Sequence, residues 1–201
     1  MTLYSYIVAR DYGFAPNPFY GMCTLATCKP EIRKMAKVED WVVGTGSKHY
    51  SLDGKLVYVM RVQEALSFEE YWADTRFIQK RPNLRGCLKQ AYGDNIYHCH
   101  PRTKKWMQEN SHHSLRNGRP NPANIEHDTR VSRVLIGTQF AYWGGYGPAI
   151  PSRFRKWRGQ DLCHQHPGHK CLFPDGLVES FVHWFCSLDI TGYRGQPKEW
   201  G

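Results

Sequence analysis

The chain predicts an α+β fold, a mixed and mostly antiparallel sheet decorated with short helices. Three observations carry that reading. Apolar, β-branched runs at 41–44 and 56–62 lie either side of a small-residue loop, Gly44-Thr45-Gly46-Ser47-Lys48, the pattern of two joined strands. The run 3–8 is rich in aromatic and β-branched residues and reads as an opening strand. Residues 177, 178, 181, 182, 184, 185 and 188 are apolar, which is the spacing of an amphipathic helix rather than a strand. With 201 residues, 41 % of them hydrophobic, the chain can bury a sizeable core, and a single domain over 1–201 is expected.

The remaining elements follow in order. Residues 12–21 contain Gly13, Pro16, Pro18 and Gly21, which remove donors and punctuate the backbone, so this aromatic segment is a loop. Residues 24–27 read as a short strand. Residues 30–36 form a short helix, with Pro30 in the first turn, Glu31 at the positive end and Arg33 and Lys34 further along. Ser67 caps a turn over 68–73, residues 84–92 make a helix ended by Gly93, and 104–109 make a second short helix. Residues 111–128 hold three Asn, two Pro and one Gly and read as loop. A long strand over 133–143 is closed by Gly144, Gly145, Gly147 and Pro148. The final helix is capped by Asp175, and the polar, Gly-rich tail after Thr191 is expected to pack loosely.

The net charge of +9 predicts an anionic partner. The excess is concentrated between Arg76 and Arg119, where ten basic residues face two acids, Asp94 and Glu109, and four histidines. A basic insertion at about 76–128 can neutralise phosphates and gain from counterion release, with Arg85, Lys89, Arg102, Lys104 and Lys105 as the phosphate-binding side chains. Nucleic acid or a nucleotide is therefore the expected partner. The 7 Trp and 12 Tyr suit ring stacking as well as core packing.

The order of the pieces 4–8, 30–36, 37–40, 41–48 and 54–62 resembles the pseudouridine-synthase-and-archaeosine-transglycosylase (PUA)-like barrels, especially their EVE and ASCH branches. The shared features are an opening strand, a short helix, the Lys37-Val38-Glu39-Asp40 turn, a strand ending in a polar loop, and the Gly54 to Val62 strand. Over its whole length the chain resembles the nucleotide modification associated domains of the second type, which accompany DNA base-modification systems of bacteria and phages. The resemblance implies a PUA-like barrel whose mouth takes a flipped, modified base, stacked on a ring and hydrogen-bonded at its edge. Thr45, Ser47 and Lys48 would then contact the base edge or a phosphate, and Tyr142 and Trp143 would supply stacking. The loop Gly44 to Lys48 departs from the aromatic-His-Ser type of many EVE domains.

Other chemistry is less well supported. The loop 44–48 lacks the spacing of a P-loop and precedes a strand, so nucleotide hydrolysis is rejected. Cys163, His164, His166, His169 and Cys171 form the densest group of soft ligands, and Cys163, His166, His169 and Cys171 are a candidate zinc set, although no cofactor is required. Cys23 and Cys28 read as small core residues. An enzyme acting on a nucleotide or base (a transferase, glycosidase or nuclease) is the alternative, with Asp11, Glu69, Glu70 or Asp128 as acids and no nucleophile–base–orienter set visible. Seven cysteines without a disulfide framework, no signal peptide and no membrane-spanning run predict a cytoplasmic protein.

Overall fold

The computed structural model describes residues 1–164 and 166–200. The chain divides into two compact units. Unit 1 comprises Met1–Tyr12, Ala36–Gln63 and Gly137–Gly201, and unit 2 comprises Gly13–Met35 and Glu64–Ile136. The basic stretch 76–128 lies inside unit 2. In chain order the elements are β1 (Leu3–Val8), β2 (Cys23–Leu25), α1 (Pro30–Met35), β3 (Trp41–Gly46), β4 (Leu56–Arg61), β5 (Glu64–Leu66), α2 (Phe68–Ala73), α3 (Leu88–Ala91), β6 (Tyr97–Cys99), β7 (Trp106–Gln108), α4 (Pro122–Thr129), β8 (Val134–Gly137), β9 (Phe140–Tyr142), α5 (Ser152–Arg155), α6 (Leu177–Ser187) and β10 (Gly192–Tyr193).

Unit 1 is built on a five-stranded mixed sheet of order β1–β3–β4–β9–β10. The pairs β1–β3 and β9–β10 are parallel, and β3–β4 and β4–β9 are antiparallel. The outer strands β1 and β10 do not pair with each other, so the sheet is open. The closed barrel expected from the resemblance is not found among the described residues. Central strand β3 is buried along its whole length, which is why it reads as an unbroken apolar run. On one face Val43, Val59 and Ala141 stand in register and meet Leu177, Phe181 and Phe185 of α6, spaced four apart so that they share one helix face. Leu3, Trp41, Leu56, Trp143, Ile150, Phe154, Leu162 and Cys163 belong to the same core. Across the same sheet runs a second register row, Tyr6–Gly44–Tyr58–Tyr142–Tyr193. The Tyr6 and Tyr58 hydroxyls are 3.0 Å apart.

Unit 2 contains the sheet β2–β8–β5 and the antiparallel hairpin β6–β7. Its interior is polar as well as aromatic. Lys80 is fully buried and its ammonium donates to the Asn17 carbonyl (3.0 Å), the Asn17 amide oxygen (2.7 Å) and the Met22 carbonyl (2.9 Å). Asp94 accepts from the hydroxyls of Tyr71 at 2.8 Å and Thr24 at 2.6 Å. Burial pulls the Lys80 ammonium down to about 8 and raises the Asp94 carboxyl, each against the charge of the other.

Several elements differ from expectation for identifiable reasons. The single strand over 133–143 is two strands in different sheets. The break falls where the Gln63 side-chain oxygen accepts from Thr138 N–H, Thr138 hydroxyl and Gln139 N–H, replacing the ladder locally. The helix expected at 104–109 is β7, turned back on β6 through Lys104, whose φ of 56° is left-handed. Part of the loop expected at 111–128 is α4, because Asn121 caps it by accepting from Ala123 and Asn124 N–H and Pro122 occupies its first turn. Gly176, with φ 78°, rather than Asp175, precedes α6. The tail is anchored rather than loose: Lys198 N–H donates to Asp11 and Trp200 Nε1 donates to the Tyr12 carbonyl at 3.0 Å. Among the described residues no helix is long and apolar enough to cross a membrane.

Candidate functional site

The five residues expected to line one base pocket all lie in unit 1, three of them in buried positions. Thr45 is buried in β3 and its hydroxyl donates to the Tyr6 carbonyl at 3.2 Å. Ser47 accepts from His49 N–H at 3.1 Å as the cap of a single 3-10 turn over Lys48–Tyr50, and Lys48 is exposed in that turn. Tyr142 is buried, donates its hydroxyl to Asp11 Oδ1 at 2.6 Å, and stacks on Tyr193 with ring centroids 5.7 Å apart. Trp143 is a core residue, its ring edge-on to Phe185. Of the five, only Ser47 and Lys48 are not buried.

The glycines of this loop are explained by packing. A Cβ on Gly44 would sit 2.4 Å from the Tyr58 ring and 2.6 Å from Val8, so the missing side chain lets the tyrosine cross β3. A Cβ on Gly46 would sit 2.2 Å from the Leu52 carbonyl oxygen, which is backbone and cannot swing aside. Gly46→Ala should therefore lower stability by about 1–3 kcal/mol, read as a lower urea midpoint with an unchanged denaturant slope. A variant as stable as the parent would show that the turn can relax.

The cysteine–histidine segment is also spread out. Cys163 is buried, its N–H donates to Asp161 Oδ1 at 2.8 Å, and burial pushes its thiol up to about 12. His169 lies against Tyr4, with ring centroids 5.9 Å apart, while His166 contacts His164 and Cys171 is half-buried. Among the described residues no three His, Cys, Asp or Glu side chains are grouped to hold a metal ion. Cys163, His166, His169 and Cys171 do not form such a group.

Unit 2 sorts its cations into two kinds. Arg76 pairs with Glu64 and Asp74, Lys80 is buried, and Arg81 lies over the Trp72 ring at 3.8 Å; these three serve the fold. Arg85, Lys89, Arg102, Lys104, Lys105, Arg116 and Arg119 are exposed. Arg102, Lys104 and Lys105 crown the turn between β6 and β7. Leu84, Asn110, Ser111, His112, Ser114, Leu115, Arg116, Asn117 and Gly118 line an open groove of about 490 Å³, which places Arg85, Arg116 and Arg119 at or next to it. Tyr92 packs edge-on against His112 on this loop.

Behind the groove loop lies a constellation that sequence reasoning missed. His113 Nδ1 is 2.9 Å from Asp128 Oδ2, and His113 Nε2 is 3.7 Å from Cys28 Sγ. Asp128 is fully buried and saturated. Its Oδ1 accepts from Cys28 N–H at 2.8 Å and lies 3.1 Å from His127 Nδ1, and its Oδ2 accepts from the Tyr97 hydroxyl at 2.9 Å. The Phe14 ring packs on His113, centroids 4.6 Å apart. Burial alone would pull the His113 pKa down, but the bond to Asp128 and the contact with Cys28 outweigh it and lift the group to about 9. Burial raises the Asp128 carboxyl and the His113 bond more than reverses this, leaving it below its ordinary value. Cys28 is half-buried rather than a core residue, unlike Cys23, which is fully enclosed with its thiol raised by burial. One signal was present in the sequence: Asn121-Pro122 announces the helix whose last turn carries Asp128. Nothing local pairs Cys28 with a histidine 85 residues away.

These observations define an α+β protein of open sheets with an exposed cationic surface on one unit. A model of the family described as nucleotide modification associated domain 2 matches residues 1–201, and the chain belongs to that family. No curated protein and no solved structure matches the chain.

Proposed function

We propose that the protein binds nucleic acid or a nucleotide through unit 2 and recognises a base there, in the setting of nucleotide modification that its family description names. The observation that carries this reading is the set of seven exposed Lys and Arg side chains of unit 2, one of which, Arg116, lines a groove of about 490 Å³, a volume that suits one nucleotide-sized ligand. Arg102, Lys104 and Lys105 on the hairpin, with Arg85 and Lys89, hold phosphates and set register. The groove, with His112, Asn110 and Asn117 beside apolar Leu84 and Leu115, offers a base both a ring face and hydrogen-bonding partners. The base pocket is thus assigned to unit 2 rather than to the loop 44–48.

The test is titration of a fluorescently labelled oligonucleotide across a salt series. Replacing Arg102, Lys104 and Lys105 by Ala should weaken binding uniformly across sequences and flatten the log–log salt slope by roughly 0.7–0.9 for each phosphate that is no longer neutralised. Asn117→Ala should change preference among bases and leave the slope alone. An unchanged slope in the triple variant would remove unit 2 as the phosphate surface.

A further inference from the structure

We propose that Cys28, His113 and Asp128 form a nucleophilic centre that transfers acyl groups from esters, thioesters or amides. The role does not depend on the nucleic-acid reading. The geometry is that of a nucleophile, a base and an orienting acid in series: Sγ to Nε2 at 3.7 Å, then Nδ1 to carboxylate at 2.9 Å. The nucleophile stands on a sharp strand-to-helix turn between β2 and α1, where Cys28 and Lys29 both take left-handed backbone, φ 57° and 40°. Such a conformation is unfavourable for non-glycine residues and persists only when its surroundings impose it. Here the Cys28 N–H is held by Asp128 and its carbonyl by Arg33 Nε at 2.9 Å. The preceding residue, Thr27, keeps a buried hydroxyl that has no hydrogen-bond partner among the described residues. The fold therefore leaves a polar group unused at the residue next to Cys28 in the chain.

A purely structural His–Asp pin would not require a half-buried cysteine at the outer imidazole nitrogen. The His113 pKa, raised to about 9 by the bond to Asp128, leaves the ring protonated at neutral pH with Nε2 3.7 Å from Cys28 Sγ. The other charged or titratable groups around the pair are Lys29, Arg33, Tyr97, His127 and Arg130.

The step balances without any redox partner. The Cys28 thiolate attacks the carbonyl carbon and forms an S–C bond, and the carbonyl electron pair moves to oxygen. Collapse of the tetrahedral species expels the alcohol, thiol or amine, which takes the proton from His113, and leaves a thioester on Cys28. Water, giving a proton to His113, then attacks the thioester and releases a carboxylic acid, and the sulfur returns as thiolate. Cys28 and His113 are the catalytic residues. Asp128 is a positioning residue that fixes the ring.

Two probes on the full chain test this. Carbamidomethylation by iodoacetamide, followed residue by residue with mass spectrometry, should modify Cys28 about tenfold or more faster than exposed Cys87 at pH 6. Below pH 7 the Cys28 rate should form a plateau while the Cys87 rate keeps falling. His113→Asn should abolish that plateau, and Asp128→Asn should shift it along the pH axis while leaving the Cys87 profile in place. With p-nitrophenyl acetate, one equivalent of p-nitrophenolate should be released in a burst, with an acetyl group on Cys28 that is absent in Cys28→Ser. A Cys28 rate that follows Cys87 at every pH overturns the proposal, and this needs only the parent protein should a variant fail to fold. Fast alkylation with no acetyl adduct also overturns it. Neither probe contains a nucleotide, so failure here is distinct from failure of oligonucleotide binding.

Discussion

Arg33→Met should cost about 3–5 kcal/mol, the loss expected when one member of a buried charged network is removed. Arg33 is fully buried, and its guanidinium donates to four backbone carbonyls: Cys28 (2.9 Å), Val131 (2.6 Å), Arg133 (2.8 Å) and Asp128 (2.7 Å). Methionine fills similar space and donates nothing, so all four carbonyls lose the guanidinium, although that of Val131 keeps the Arg133 N–H at 2.9 Å. Lysine has three donors on a single atom and cannot reproduce the planar fork, so Arg33→Lys should recover only part of the loss. Hydrogen exchange resolved by peptide would show the effect concentrated in 28–35 and 121–134, with the α6 segment protected as before. A loss under about 1 kcal/mol for the methionine variant would mean that water reaches those carbonyls.

The second large effect is a pH dependence carried by His113. Its folded pKa of about 9 exceeds the ordinary 6.5. A raised folded pKa contributes stability that is complete below the unfolded value and lost as pH rises through the folded one. The window therefore runs from about 6.5 to 9, and a 2.5-unit difference at 1.36 kcal/mol per unit is on the order of 3 kcal/mol. Asp128, whose carboxyl is held low, contributes stability above its ordinary range that fades in acid. Lys80 works in the opposite sense at alkaline pH, because its folded pKa is depressed to about 8. Comparison of the parent with His113→Asn cancels that background. Urea titrations should show the parent's advantage at pH 6 shrinking steadily by pH 9.5. A constant gap across that range would contradict the protonated His113–Asp128 pair.

The sequence was most legible where one periodicity dominates. The strand 3–8, the helix beginning at Pro30 and the α6 stripe were all readable because burial of one face dictates their apolar spacing. It was least legible where side chains replace backbone partners. Gln63 divides the run 133–143 by capturing two N–H groups, and nothing in Thr138-Gln139 announces that acceptor. Composition misled at 111–128, because Asn and Pro serve equally as loop residues and as the opening of α4. The cationic excess was readable, but not which members are spent on the fold: tertiary packing buries Lys80 and leaves Lys104 and Lys105 exposed. Cys28, His113 and Asp128 could not be grouped, since their separation in sequence is bridged by tertiary structure alone.

The alternation of chain segments has a practical result. Passing from residue 1 to 201, the backbone enters unit 2 and returns to unit 1 twice. No single truncation therefore yields either half intact, and a deletion drawn around the basic stretch would also remove strands β6, β7 and part of the β2–β8–β5 sheet's support. On the ribosome, the five-stranded sheet stays incomplete until Gly192 and Tyr193 emerge, so a stalled nascent chain would present β9 with a bare outer edge.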